Sequence, residues 1–516
     1  MSVARGKYHI WTVGCQMNQA DTQRVASILD GLGWEESSTI EGANLVVLNT
    51  CSVREQPEKR AHGQLSLLKH AKKRREDLLV AMMGCMVGNP RQVEEMKHRY
   101  PVVDLFFKVE QADILPQFLE ERWTPLAGDG CVDFAEMGAP RTIGTGDALP
   151  ILPMPPLSTF EPPEAMTSGF RAAVRELHYP TTHQVGMRAR GPAAFLPVVL
   201  GCNKVCSYCI VPSRRGVERS RTMDELLAEA RDLVSTGARE LTLLGQTVEA
   251  YGLDLPGNGD LGDLMERLSA IDGLERIRFM TSYPRHMTDK MIHQMASLPK
   301  VCEHVNIPVQ HGDDAMLRRM RRGYTLAEYR ELIAKLRAWW PGVSLSTDII
   351  VGFCGETEEE FQHTLDLLEE IRFDVVHVAA YSPRPGTLAY KWQDDVPVEI
   401  KKERLHAVEA VQERIARDIN ETYLGRTEEV LVEAHQVANG QHQWRGRNRT
   451  NKLVFLPAER ADTAGGQAQG QPVGDSRSMT AVAAPVAATA IHPGDLIHVL
   501  IDKTTPWSLQ GRLAPR

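Results

Sequence analysis

Apolar runs at positions 8–13, 45–49, 78–83 and 103–107 punctuate the first 123 residues, and each is followed by a polar amphipathic stretch of helical length. Short apolar runs alternating with helices predict parallel strands, and four such repeats predict a small doubly wound parallel sheet over 1–123. From 124 to 192 the pattern dissolves into Gly, Pro and Thr, as in PILPMPPLSTFEPPE, which reads as a long, partly disordered insertion or linker. Alternation resumes over 193–423, with strands expected near 196–200, 239–244, 275–281, 303–308, 343–351 and 374–381. Helical spacing fills the intervals, including 223–236, 326–340 and 358–371. Six strand-helix repeats predict an open (β/α)6 barrel. The last part, 424–516, changes period. Strand-like alternation at 429–434, 452–456 and 496–501 predicts a small antiparallel β-barrel, interrupted by an Ala/Gly/Gln-rich tract at 461–490 that reads as a floppy loop. The fold class is thus α/β with a small all-β module appended.

Composition narrows the picture. The 516 residues are 42% hydrophobic and 24% charged, a globular balance that argues against a disordered chain. No run of roughly 18 apolar residues is present to cross a bilayer, so no membrane is expected. The N-terminus MSVARGKYHIWTVGCQMNQ lacks the apolar core of a secretory signal, which places the protein in a reducing cytoplasm. Nine cysteines there point to metal or redox chemistry rather than to disulfides. The net charge of -8 excludes a uniformly basic nucleic-acid sleeve, yet basic runs occur at 69–75 (KHAKKRR), 318–322 (RRMRR) and 445–452 (RGRNRTNK). The first two fall on predicted helices and read as solvated faces.

The most specific chemical signal is GCNKVCSYC, in which Cys202, Cys206 and Cys209 follow the first barrel strand with C-x3-C-x2-C spacing. Three thiolates so close can wrap one iron-sulfur cluster and leave one iron open to a substrate. Zinc would ask for a fourth Cys or His at suitable distance, and none follows. On an open (β/α) barrel, this spacing resembles the radical S-adenosylmethionine (SAM) superfamily. The resemblance implies that SAM chelates the open iron and is cleaved by an electron from the cluster to a 5'-deoxyadenosyl radical. It also implies SAM contacts at the C-terminal ends of later strands, for which the chain offers Gln246, Gln310 and Asp348. At the first of these positions many relatives carry an acid.

A second, dispersed trio is Cys15, Cys51 and Cys85, in TVGC, LNTC and MMGC. Each follows one of the first three predicted strands. Parallel strands present their C-terminal ends on one edge, so the three sulfurs should converge. Each also precedes a predicted helix, whose N-terminus favours a thiolate. Cys131, Cys302 and Cys354 lack such companions and read as structural.

GCQMNQADT, NTCSVRE, MGCM, GCNKVCSYCIVPSRRG and RGRNRTNKLVF together resemble the methylthiotransferase family across nearly the whole chain. Within it, TDIIVGFCGET and YSPRPGT are similar to the branch acting on isopentenyl-adenosine. The resemblance implies two 4Fe-4S clusters, a sulfur-carrying one on Cys15, Cys51 and Cys85 and a radical-generating one on Cys202, Cys206 and Cys209. It implies two SAM per product and a methylthio group placed on C2 of N6-isopentenyl-adenosine beside the tRNA anticodon. No further general acid or base is demanded. A low-potential electron donor of flavodoxin or ferredoxin type and a sulfur donor are implied as partners, and a monomer is expected. The terminal module resembles a TRAM domain, with Arg445, Arg447, Arg449 and Lys452 as candidate phosphate contacts. Methylthiolation of threonylcarbamoyl-adenosine or of a ribosomal-protein aspartate, and a non-catalytic iron-sulfur RNA-binding protein, stay open at this point.

Overall fold

The computed structural model describes residues 6–123 except 54, 76 and 89; residues 186–458 except 256, 258 and 439; and residues 491–515. Most of the expected insertion at 124–192, the whole tract 461–490 and Cys131 lie outside the described residues.

Five parallel strands build the first sheet: β1 (Lys7–Thr12), β2 (Glu35–Glu36), β3 (Leu45–Thr50), β4 (Leu79–Gly84) and β5 (Leu105–Phe106). Their order is β2-β1-β3-β4-β5. Period-two packing explains why the apolar runs are unbroken. Leu45, Val47, Ala81 and Met83 face one helical layer with Val25, Leu29 and Phe118. Val46, Leu48, Val80 and Met82 face the other with Ala61, Leu65 and Leu68. A strand covered on both sides has no polar face to show. The two-residue strand β2 was not expected from the sequence, because Glu35 and Glu36 are exposed and carry no apolar signal.

The central strands are β6 (Ala193–Pro197), β7 (Val199–Leu200), β8 (Arg219–Ser220), β9 (Glu240–Leu244), β10 (Arg276–Met280), β11 (His304–Asn306), β12 (Ser344–Val351) and β13 (Val375–Ala380). Six of them form two parallel sheets, β6-β9-β10 and β11-β12-β13. A bridge between Ile277 and Val301 joins them into a partial barrel. Threonines 222, 325 and 357 start three of the outer helices through reciprocal capping boxes with Glu225, Glu328 and Glu360. β7 and β8 pair antiparallel and pinch the base of the segment carrying Cys202, Cys206 and Cys209. On the open side, helix Gln16–Gly31 of the first module lies against β6. There Met17 and Ala20 pack with Phe195, Leu244 and Met280, and Gln23 Oε1 accepts the Phe195 N–H (3.2 Å).

Five more strands close a small barrel: β14 (Thr427–Ala438), β15 (Gln441–Asn448), β16 (Leu453–Pro457), β17 (Leu496–Thr505) and β18 (Ser508–Leu513). All pairings are antiparallel except β16 with β18, which is parallel. β15 and β18 had no strand signal, since QHQWRGRN and SLQGRL carry few apolar residues. Gly446 and Gly511 are needed inside them, because a Cβ at either would come within 2.2 Å of a neighbouring strand's carbonyl oxygen. Among the described residues no helix is long and apolar enough to cross a membrane.

Candidate functional site: two cysteine triads

The compact triad begins with a glycine. Gly201 has φ +68°, and a Cβ there would fall 2.1 Å from the Val217 carbonyl oxygen, so only glycine lets the chain turn into Cys202 at this point. Cys202 Sγ is buried 3.9 Å from Thr247 Oγ1 and accepts the Lys204 N–H (3.4 Å). Cys206 Sγ accepts from Arg322 Nη1 (3.5 Å), and the Cys209 N–H donates to the Cys206 carbonyl (3.1 Å). Burial, reinforced by the Cys206 sulfur, pushes the Cys209 thiol up to about 12, and burial also raises Cys202. A metal bound by these thiols would displace their protons.

Arg322 corrects the reading of RRMRR as a solvated face. Arg318, Arg319 and Arg321 are exposed, but Arg322 is buried, donating to Cys206, to the Pro308 carbonyl (2.9 Å) and to Tyr324 Oη (3.0 Å). A run of identical charges gave no hint of which one turns inward.

The three expected SAM contacts divide between the two sheets. Gln310 and Asp348 are neighbours: the Gln310 N–H donates to the Asp348 carbonyl (2.9 Å), and Gln310 holds φ +76°, a strained conformation for a non-glycine residue. The Asp348 carboxylate accepts from Asn306 Nδ2 (3.4 Å). Gln246 stands half-buried after β9 on the other sheet. Three residues on is Glu249, which sequence reasoning missed. It is 1% exposed, accepts the Tyr283 N–H (3.0 Å), and burial lifts its carboxyl to about 7. Its signal was an acid inside the otherwise uncharged LLGQTVEAY. Nearby, Lys204 Nζ sits 2.9 Å from His286 Nε2, and burial together with that ammonium pushes the imidazole down to about 4.

In the dispersed triad, Cys15, Cys51 and Cys85 each follow a C-terminal strand end, after β1, β3 and β4. Two are again preceded by glycines that accept no side chain. Gly14 (φ +132°) would place a Cβ 2.8 Å from Cys51 Cβ, and Gly84 (φ +92°) would place one 2.4 Å from the Thr50 carbonyl oxygen. Cys15 is the N-cap of helix Gln16–Gly31. The Cys51 and Cys85 sulfurs lie close enough to perturb one another. This contact and burial hold Cys51 well above the ordinary thiol range, while the same contact and the guanidinium of Arg215 bring Cys85 down to about 5. Cys15 is exposed and close enough to Cys51 to add to its shift.

The two triads are tied together. Helix Val211–Arg215 follows Cys209 and reaches the first module, where Arg215 Nη2 donates to Asn18 Oδ1 (2.8 Å) and Asp21 Oδ2 (3.0 Å). From the far side of the barrel, the YSPRPGT segment also docks: Arg384 Nη1 pairs with Glu58 Oε2 (2.9 Å), and Ser382 donates to Glu55 (3.3 Å).

The four cations of the terminal barrel separate into two pairs. Arg449 is clamped by Glu303 (Nε to Oε2 2.8 Å, Nη2 to Oε1 2.7 Å), and Lys452 is 7% exposed with its ammonium 2.7 Å from Asp374 Oδ1. Both acids belong to the central barrel, so these two charges are consumed at a module interface. Arg278 completes it, donating to the Arg449 and Asn448 carbonyls (2.8 and 2.6 Å). Arg445 and Arg447 stay about two-fifths exposed beside Glu433. In KHAKKRR, Lys69, Lys73 and Arg74 are exposed as expected, while Lys72 pairs with Asp104 and Arg75 with Asp77.

Comparison with known proteins bears on this arrangement. A tRNA-2-methylthio-N(6)-dimethylallyladenosine synthase from Herpetosiphon aurantiacus is 41% identical over 459 residues, 88% of this chain and 92% of that one. A protein of the same name from Chloroflexus aurantiacus is 39% identical over 509 residues, 98% and 91% of the two chains. The chain belongs to the tRNA-2-methylthio-N(6)-dimethylallyladenosine synthase family. Residues 196–368 match the radical SAM superfamily and span the compact triad with Gln246, Gln310 and Asp348. Residues 7–108 match an uncharacterized protein family, UPF0004, and span the dispersed triad. Among solved structures, a radical S-adenosylmethionine methyltransferase, TsrM, from Kitasatospora setae aligns over 75% of this chain and 77% of that one. Its identity is 16% and its TM-score 0.48, a likeness too remote to say more.

Proposed function

We propose that this chain is a radical SAM tRNA methylthiotransferase that adds a methylthio group to C2 of N6-isopentenyl-adenosine next to the anticodon. The observation that carries the reading is the near full-length relation to synthases of that name, joined to two cysteine triads linked by one short helix. In this reading Cys202, Cys206 and Cys209 hold one 4Fe-4S cluster and Cys15, Cys51 and Cys85 a second. When bound, the first supplies the electron that cleaves SAM, and the second supplies the sulfur that leaves as methylthio.

The protein's own residues do the rest. Gln246, Gln310 and Asp348 orient SAM over the barrel mouth, with Glu249 as a buried acid beside them. Arg322 donates to the Cys206 sulfur and keeps water from it. Met17, Ala20, Phe195, Leu244 and Met280 make a dry contact that holds the two modules against each other. Arg445 and Arg447 contact tRNA phosphate; Arg449 and Lys452 hold the terminal barrel in place. The enzyme works as a cytoplasmic monomer, reduced by a flavodoxin- or ferredoxin-type donor and resupplied by a separate sulfur donor.

Anaerobic reconstitution tests this. The protein loaded with iron and sulfide is incubated with dithionite, SAM and tRNA bearing isopentenyl-adenosine, and the nucleosides are analysed by mass spectrometry. Conversion to the methylthio nucleoside with release of 5'-deoxyadenosine is expected. Release of 5'-deoxyadenosine with no change in the nucleoside would point to another acceptor.

A further inference from the structure

Arg215 belongs to the barrel, six residues past Cys209, yet among the described residues the groups its side chain donates to, Asn18 and Asp21, belong to the first module. Its side chain is 14% exposed and donates to Asn18 Oδ1 and Asp21 Oδ2; Cys15 Sγ lies 3.8 Å from that same Asn18 oxygen, and the guanidinium is near enough to Cys85 to lower its thiol. Asn18, fully buried, passes the contact on. Its Nδ2 donates to the carbonyls of Val13 and Thr50 (2.9 Å each), the residues just upstream of Gly14-Cys15 and of Cys51. One guanidinium and one amide therefore reach all three cysteine-bearing strand ends. Arg214 runs alongside with its stem against Gly88, where a Cβ would meet Arg214 Cδ at 2.9 Å. Gly216 (φ +77°) then ends the helix, so the two arginines cannot slide along the groove without unwinding it.

We infer that Arg215 is the positioning residue that sets the reduction potential of the N-terminal cluster, and that it does so from the module holding the other cluster. This rests on the reading that Cys15, Cys51 and Cys85 hold that cluster. The physical case is charge. A cluster gains negative charge on reduction, and N–H donors or cations at its sulfurs stabilise the reduced form and raise the potential. A solvated cation would be screened, whereas Arg215 is enclosed and fixed by Asp21 and Asn18. Arg215 Nη2 serves the amide and the carboxylate together, and a lysine ammonium would carry the charge without the planar geometry that aims it. The consequence is coupling: the sulfur-bearing cluster has its full potential only while the segment after Cys209 is docked.

The test uses the full chain with Cys202, Cys206 and Cys209 all changed to alanine, so that one cluster alone is observed. Reductive titration followed by electron paramagnetic resonance is run with Arg215, Arg215→Lys and Arg215→Gln. Arg215→Gln is expected to move the midpoint to more negative values at unchanged iron content, and Arg215→Lys to fall between. Equal midpoints and spectra in all three would make Arg215 a mere strut and overturn the inference. If Arg215→Gln fails to load iron, Asp21→Asn decides, because it leaves the guanidinium but removes the opposing charge. Its midpoint should then move to more positive values, and no movement overturns the inference. Absence of iron in the triple-alanine protein with Arg215 intact is a different failure, removing the ligand assignment of Cys15, Cys51 and Cys85 itself.

Discussion

The two triads present the same three sulfurs by opposite means. Cys202, Cys206 and Cys209 lie within eight residues and need only one glycine, a two-residue strand pair and a turn to face one another. Cys15, Cys51 and Cys85 are spread over seventy-one residues and meet only because β1, β3 and β4 are adjacent and parallel. Local sites tolerate distortion elsewhere. Dispersed sites inherit every error of the sheet that assembles them, and the first module accordingly carries more supporting contacts, from Asn18, Asp21 and the borrowed Arg215.

Cysteine replacement breaks this comparison most sharply. Cys206→Ala should reduce SAM cleavage to background, while Cys51→Ala should leave 5'-deoxyadenosine formation intact and stop methylthio transfer. Equal loss of cleavage in both would show that the triads do not divide the labour. Next come the glycines. Gly84→Ala forces a left-handed φ on alanine and a clash with backbone, costing on the order of 1–3 kcal/mol at the dispersed site. It should lower bound iron from about eight atoms per chain toward about four while SAM cleavage persists. Gly201→Ala should lose a similar amount of iron and the cleavage with it.

Smaller effects are expected in the terminal barrel. Arg447→Ala should reduce the salt dependence of tRNA binding by about one unit of slope. Arg449→Ala should instead leave that slope alone and lower stability by on the order of 1 kcal/mol, since its partner Glu303 is still 26% exposed. The reverse outcome in a binding titration would return Arg449 to the RNA surface. A pH-dependent effect is expected at His304, the first residue of β11. Burial, aided by Arg278, pushes His304 down to about 3 from 6.5, so the folded state keeps it neutral while the unfolded chain takes up a proton below 6.5. Its stabilising contribution is complete above that pH. It should fade toward about pH 3 with a slope of up to about 1.4 kcal/mol per unit. Urea unfolding at several pH values should show this component vanish in His304→Gln.

Much of this was legible in the chain. The strands of the first two modules fall within a few residues of their apolar runs, because a strand buried on both faces must be apolar throughout. The compact triad could be read by eye. Strands β15 and β18 could not, being polar segments that pair only because the small barrel closes on them. The inward turn of Arg322 among three similar neighbours, and the ion pairs of Arg449 and Lys452 in a run without acids, were not legible for one reason: their partners Cys206, Glu303 and Asp374 lie far away in sequence.

Residue order alone showed most of the apolar strands and helices and the spacing of the two cysteine trios, since periodicity, glycine placement and ligand spacing are local properties. Tertiary structure decided which charges are spent on holding modules together and which arginine reaches the sulfurs of the neighbouring site. Coulomb and hydrogen-bond energies depend on distance through space, and a linear chain does not contain that distance until it folds.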